Sequence, residues 1–239
     1  MSAMPCVRVG MSGFSYAEWK GEGKLYPPKL PPRDFLRFYA RRYGALEAVG
    51  TFMHLPTEKT VTKWIEETTQ EFRVCPKMHQ RVTHLQRLKP ESLERAEEMA
   101  MALEPVQRAG KLGPILIQLP PNMKRNDHLL DTFLGSLPSG FEWAVELRHE
   151  SWSDLAVEAL LRAHRMAWVA ADTDEENALR RDTAAFHYVR LRKSEYDDAA
   201  LAEWAEYLKG TAKPAYIFCR HTDIPAPWLW ADRLKELLA

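Results

Sequence analysis

The chain has 239 residues, 46% of them hydrophobic and 28% charged, which is enough apolar material for one large core or two small ones. Its 33 basic residues balance 33 acidic ones, so no overall field favours nucleic acid or an anionic membrane, although a local basic patch stays open. No stretch approaches the roughly 18 apolar residues of a membrane span, and the first residues lack the basic and apolar regions of a secretory leader, so no membrane partner and a cytoplasmic location are expected. The three cysteines, Cys6, Cys75 and Cys219, are odd in number and widely spaced, which fits reduced thiols rather than a disulfide framework or structural zinc.

In chain order, residues 7–12 read as a first strand. A loop over 13–33, rich in Gly, Pro and aromatics, is too long for a plain connector. Asp34 is placed to cap a helix over 35–42. Residues 45–49 form strand two, and Thr57 caps a helix carrying Val61, Trp64 and Ile65 at helical spacing. Strand three, 72–77, leads to a basic loop over 79–89 and a helix over 91–108, which Gly110 stops. Strand four, 114–119, is almost wholly apolar, as a strand covered on both faces should be.

Asn126 or Asp127 caps the next helix. Strand five begins at Trp143, with Val145 and Leu147 on one face and Ala144, Glu146 and Arg148 on the other, because strand side chains alternate. Ser153 and Asp154 start a helix to about His164. Strand six, 166–171, ends at Asp172, and a polar loop follows over 173–182. Strand seven is 186–191, with a helix over 198–209 after it. Strand eight is 215–219, and a last helix runs from about 228 to 238.

Eight strands alternating with helices imply right-handed crossovers and a parallel sheet, and the length suits a single-domain (β/α)8 barrel over residues 1–239. The alternative is a doubly wound open sheet. Its dinucleotide-binding form is weakened because no G-x-G-x-x-G follows strand one.

Barrel chemistry sits at the C-terminal strand ends. Those ends read Ser12, Glu47, Lys77, Gln118, Glu146 with Arg148, Asp172, Arg190 with Arg192, and Arg220 with His221. On most strands the same-face residue two before is small or apolar: Gly10, Ala45, Cys75, Leu116, Ala144, Ala170, Phe218. Such a pattern fits an interior filled below and polar above. Each polar end alone is unremarkable, since strands end near water, and acid–base neighbours such as Glu146 and Arg148 could be a plain salt bridge.

Glu47, Glu146 and Asp172 could hold a divalent cation, but Lys77, Arg148 and Arg190 would share the mouth and repel it, and no H-E-x-x-H spacing occurs. No metal and no cofactor are therefore expected. The mixed charge better suits a small anionic or sugar-like ligand, bound by Arg148, Arg190 and Lys77 and oriented by Gln118 and Asp172. Glu146 and Glu47 are the acid–base candidates, and Lys77 is either a cation or a Schiff-base nucleophile with a depressed pKa. Tyr16 and Trp152, among several loop aromatics, either stack on a ligand or pack on the rim. The basic loop keeps a nucleic-acid module open as an alternative, along with a non-catalytic binding barrel. The oligomeric state is left open.

Several stretches resemble one family in order along nearly the whole chain. They are Gly13-Phe14-Ser15-Tyr16-Ala17-Glu18-Trp19, Leu25-Tyr26-Pro27-Pro28, Glu47 with Thr51-Phe52 and Leu55-Pro56, residues 72–77, Gln118-Leu119-Pro120-Pro121, residues 145–152, Ala171-Asp172-Thr173 and Tyr188-Val189-Arg190-Leu191. Together they are similar to the YecE-like family, a domain of unknown function. The resemblance implies a (β/α)8 barrel and supplies no reaction. It also marks departures: Val49 and Met53 stand where the family usually has Asn and Tyr, Arg192 and Lys193 where it has His-Gly, and Arg220 and His221 near an expected Asn pair.

Overall fold

In the computed structural model, which describes residues 6–220 and 226–239, all eight expected strands form. They are β1 (Val7–Ser12), β2 (Ala45–Ala48), β3 (Arg73–Pro76), β4 (Ile115–Gln118), β5 (Trp143–Glu146), β6 (Ala167–Asp172), β7 (His187–Leu191) and β8 (Ala215–Cys219). Every ladder is parallel, in the order β3-β2-β1-β8-β7-β6-β5-β4. The two ends of that order meet through bridges Val74–Leu112 and Lys77–Leu116, and the Met78 N–H donates to the Leu116 carbonyl at 2.8 Å. The sheet is thus a nearly closed (β/α)8 barrel.

The helices are α1 (Phe35–Arg42), α2 (Glu58–Glu66), α3 (Leu93–Arg108), α4 (Asp127–Gly135), α5 (Leu155–Ala163), α6 (Asp198–Gly210) and α7 (Pro227–Leu238). Among the described residues, β6 and β7 are joined by a loop without a helix. Side chains of Thr57, Asn126, Asp154 and Asp197 accept the first free backbone N–H groups of α2, α4, α5 and α6. Asp34 makes no such bond, because a 3-10 turn over Pro32–Asp34 already leads into α1. No helix among the described residues is long and apolar enough to cross a membrane. Cys6, Cys75 and Cys219 are unpaired.

Alternation divides each strand between two cores. Outward residues such as Met11, Leu46, Val74, Ile117 and Val145 join the helix layer. Inward ones fill the barrel: Ala45, Cys75, Leu116 and Ala144 on β2 to β5, and Tyr188, Tyr216 and Phe218 on β7 and β8. Mostly small side chains on one side are matched by packed rings on the other, with Tyr188 stacked on Tyr216 and tilted against Phe218, 5.2 Å between centroids.

β6 departs from the expected phase. Ala167 and Val169 point inward, while Trp168 and Ala170 join the helix layer. Period two then carries Asp172 outward. The strand-end pattern predicts Ala170 and Asp172 on the inward face, whereas both lie on the outward one.

Gly10 is required by close approach. A Cβ there would lie 2.0 Å from the Ala45 carbonyl oxygen and 3.1 Å from the Tyr39 hydroxyl. That hydroxyl accepts from the Met11 N–H at 2.7 Å and donates to the Ala45 carbonyl at 3.0 Å, so α1 clamps β1 to β2. Replacing Tyr39 with Phe leaves buried backbone groups short of a partner. It is expected to cost about 2 kcal/mol, or roughly 5 °C of Tm, in thermal unfolding. An unchanged Tm would show that β1 and β2 hold without the clamp.

Candidate functional site at the barrel mouth

The inward residue one step above the apolar filling is Ser12, Glu47, Gln118, Glu146 or Arg190, according to strand. All five are buried. Arg190 is only 3% exposed and lies between two buried carboxylates. Its Nε donates to both Glu47 oxygens, at 3.0 and 2.8 Å, and its Nη1 to Glu146 Oε2 at 2.5 Å. Ser12 adds a hydroxyl to Glu47 Oε1 at 2.9 Å. On the other side, the Gln118 amide nitrogen lies 2.9 Å from each Glu146 oxygen, and its carbonyl accepts from Lys77 Nζ at 2.7 Å. The result is one continuous chain of contacts, Ser12–Glu47–Arg190–Glu146–Gln118–Lys77.

The electrostatics follow from that order. Burial pushes the Glu146 carboxyl up, but Arg190, Arg192 and the hydrogen bonds from Gln118 and Arg190 outweigh it and hold the group below the usual glutamate range. Burial lowers the Arg190 pKa, and Glu47 and Glu146 more than reverse it, so the guanidinium is locked in its charged form. Lys77 differs. Burial, followed by the Arg190 charge, pushes its ammonium down to about 8, although Glu47 and Glu146 pull the other way.

Lys77 is held from several sides. Its backbone N–H donates to Thr51 Oγ1 at 3.0 Å, and the same hydroxyl lies 2.7 Å from its carbonyl. Its Nζ lies 4.1 Å from the Phe52 ring centroid. His84 packs edge-on against Phe52 at 4.9 Å, carried by a single π-helical turn, Arg81–Leu85. Neither Phe52 nor His84 was singled out as a site residue from the sequence. Both lie in short helical turns after strands, too short for spacing to give a phase.

Arg192 continues the inward phase of β7 beyond Arg190. Its backbone is fixed twice: its N–H donates to Asp172 Oδ1 at 2.9 Å, and its carbonyl accepts from Arg220 at 2.9 Å. Its half-buried guanidinium makes no hydrogen bond or ion pair among the described residues, and burial and then Arg190 lower its pKa.

The other expected residues are placed differently. Asp172 does not reach the mouth. Behind the barrel it accepts from the Tyr196 hydroxyl and from Trp204 Nε1 at 3.3 Å, and so anchors the segment that carries Arg192. Arg148 lies beyond β5, exposed, with no ion pair to Glu146, whose cation is Arg190. Trp152 is 1% exposed and donates its indole N–H to the Met123 carbonyl at 2.8 Å, so it ties two loops together inside the core. Tyr16 stands at the rim, donating to the Ser12 carbonyl at 3.0 Å with its ring 4.7 Å from Trp19.

A cavity of about 250 Å³ opens over the ends of β5 and β6, lined by Glu146, Arg148, His149, Thr173 and Glu176. A larger one of about 680 Å³ lies beside β1 and β2 against Phe14, Val49, Leu55 and Trp64 and contains none of the charged chain. The charged end of the barrel, rather than the larger apolar hollow, is therefore the candidate site.

A family model described as "Protein of unknown function DUF72" matches residues 8–239. The chain belongs to the DUF72 family. It is similar to the UPF0759 protein YecE of Escherichia coli K12, with 33% identity over 144 residues, or 60% of this chain and 48% of that protein. The match thus spans about half the length of the curated relative. A DUF72 protein of Thermotoga maritima MSB8 superposes with a TM-score of 0.77 at 24% identity, covering 98% of this chain and 99% of the other. A DUF72 protein of Enterococcus faecalis V583 gives a TM-score of 0.77 at 15% identity, covering 100% and 99%. These structures share the fold.

Within the DUF72 pattern, the marked departures take different places. Arg192 faces the mouth, Val49 lines the apolar hollow and Met53 is exposed. Lys193 binds Asn177, and Arg220 holds the Arg192 carbonyl. His221 lies outside the described residues.

Arg190→Met is expected to cost about 3–5 kcal/mol at neutral pH, because it strands two buried carboxylates. The sign of its pH dependence is diagnostic. In the wild type the depressed Glu146 contributes stability above the unfolded glutamate pKa of about 4.3, lost as pH falls through the lower folded value. Without Arg190, burial dominates and raises that carboxyl, so the variant loses stability as pH rises. Denaturant unfolding from acidic to neutral pH checks this, and a constant difference between the proteins would contradict it.

Proposed function

We propose that the barrel mouth is the active site of an enzyme that applies acid–base chemistry to a small anionic substrate. Lys77 is the group that exchanges the proton, and Arg192, with Arg148 at the rim, binds the negative charge. The observation that carries this reading is the division of labour along the mouth. Both carboxylates are committed to Arg190, while Lys77 and Arg192 are left without a carboxylate partner among the described residues. Half-buried cations without a directly paired carboxylate are costly, and an anionic ligand offsets that cost.

Glu146 and Glu47 then serve by fixing Arg190 and Gln118 rather than by moving protons themselves. For Glu146, a carboxylate held low by its guanidinium partner is a weak base at neutral pH. A lysine near 8 is well matched to proton transfer under those conditions. Of the cationic groups, Arg148 lines the small cavity at β5 and β6, next to Glu146. Sugar stacking has less support, since Trp152 is buried and Tyr16 packs on Trp19. A nucleic-acid surface on the 79–89 loop also has less, because His79, His84 and Arg87 direct polar atoms to Met53, Thr83 and Asn122.

Calorimetric titration with inorganic phosphate and with acetate tests the proposal. Saturable binding is expected, weakened about tenfold or more in Arg192→Met, a loss of about 1.4 kcal/mol. Affinity should fall as pH rises through about 8, where Lys77 gives up its charge. No saturable binding of either anion, or equal binding by wild type, Arg192→Met and Lys77→Met, would remove the reading.

A further inference from the structure

We propose that Lys77 forms a protonated imine with a small carbonyl compound bearing a carboxylate or phosphate group, which Arg192 holds. This deepens the acid–base reading above and rests on the same site.

The hydrogen-bond inventory of the amine carries the argument. An ammonium has three N–H donors. Among the described residues, Lys77 Nζ uses one of them, toward Gln118 Oε1 at 2.7 Å, and makes no ion pair. A protonated imine has a single N–H and one carbon substituent in place of the others. The contact that Lys77 makes is therefore the contact an iminium needs, and the unused directions are where the substrate carbon attaches. The Phe52 ring, 4.1 Å from Nζ, favours a cation at that point in either form. Gln118 cannot turn its other end toward Lys77, because its NH2 is held by both oxygens of Glu146.

A lysine kept for charge alone would be expected to take one of the carboxylates nearby. Here Glu47 and Glu146 are withheld from it by Arg190, and its acceptor is a neutral amide. Burial and the Arg190 charge favour the free amine, the form that attacks.

The step balances without any further reagent. The Nζ lone pair forms a bond to the carbonyl carbon, and the carbonyl π pair moves to oxygen, which takes a proton. The nitrogen loses a proton, the nitrogen lone pair then forms the C=N bond, and the oxygen leaves as water with a second proton. The iminium keeps one N–H, directed to Gln118. Solvent exchanges these protons, and the neutral imidazole beside Phe52 is His84. It stands edge-on to Phe52, close enough to Lys77 for their charges to interact, and burial, then Lys77, keep it below the usual histidine range and so neutral.

Reductive trapping tests the inference on the whole chain. The protein is incubated with pyruvate or with glyceraldehyde 3-phosphate and sodium cyanoborohydride, and modified lysines are located by peptide mass spectrometry. Saturable modification concentrated at Lys77 is expected, at least tenfold above exposed lysines such as Lys59 and Lys209. Inorganic phosphate should compete with it, and Arg192→Met should require a higher concentration of the carbonyl compound. Preference for one probe identifies carboxylate or phosphate as the anionic group. Modification spread evenly over surface lysines, while phosphate still binds at the mouth, would overturn the imine and leave the anion site standing. Loss of both trapping and phosphate binding would overturn both. Site mapping on the wild-type protein decides the matter even if a Lys77 variant fails to fold.

Discussion

A guanidinium between two carboxylates, all three shut away from water, is the interaction on which the mouth depends. Glu47, Glu146 and Arg190 come from β2, β5 and β7, so the triad ties distant points of the barrel wall across its interior. Removing three charges from water is expensive, and only near-complete pairing makes the arrangement tolerable. That pairing is achieved: Arg190 reaches both acids, Ser12 takes a further lone pair of Glu47, and Gln118 covers Glu146. The packing beneath cooperates. Small residues on β2 to β5 leave the acids room to lean inward, and the rings of Tyr188, Tyr216 and Phe218 fill the opposite side below Arg190.

From this fixed centre the site becomes freer toward the rim. Arg190 gives its Nε to one carboxylate and its Nη1 to the other. Lys77, one amide further on, has a single neutral acceptor. Arg192, one inward step above Arg190, is pinned by its backbone while its guanidinium makes no bond among the described residues. Asp172 contributes from outside the barrel, since the aspartate that holds the Arg192 N–H is itself gripped by Tyr196 and Trp204 of the outer layer. Rigid support behind and unused donors in front make a pre-organised binding surface.

Much of this was legible in the sequence because strand alternation is a strict rule. The eight strands, the parallel barrel, and the inward placement of Glu47, Gln118, Glu146 and Arg190 all follow from period two and from polar residues at strand ends. Pairing across the barrel was not legible. Glu146 looked matched to Arg148, two residues away on the same face, yet the strand stops at Glu146 and its partner arrives from β7, far along the chain. Phase was also lost where it was anchored on chemistry rather than pattern: reading Asp172 as a mouth residue turned β6 by one position. Trp152 shows the limit for loops. A ring after a strand end suits ligand stacking and core packing alike, and only its burial and its bond to Met123 distinguish them.

The Gln118 amide has a consequence beyond support. Its two ends are unlike, one donating and one accepting, and the ionised state of Glu146 decides which end faces which neighbour. With Glu146 charged, the amine of Lys77 always meets an oxygen. A neutral Glu146 would no longer demand the nitrogen end, and half a turn of one bond would set donor against donor at Lys77. The amide therefore works as a one-bond relay between β5 and β3, translating the charge on a buried acid into the hospitality offered to an amine on the far side of a side chain that never ionises.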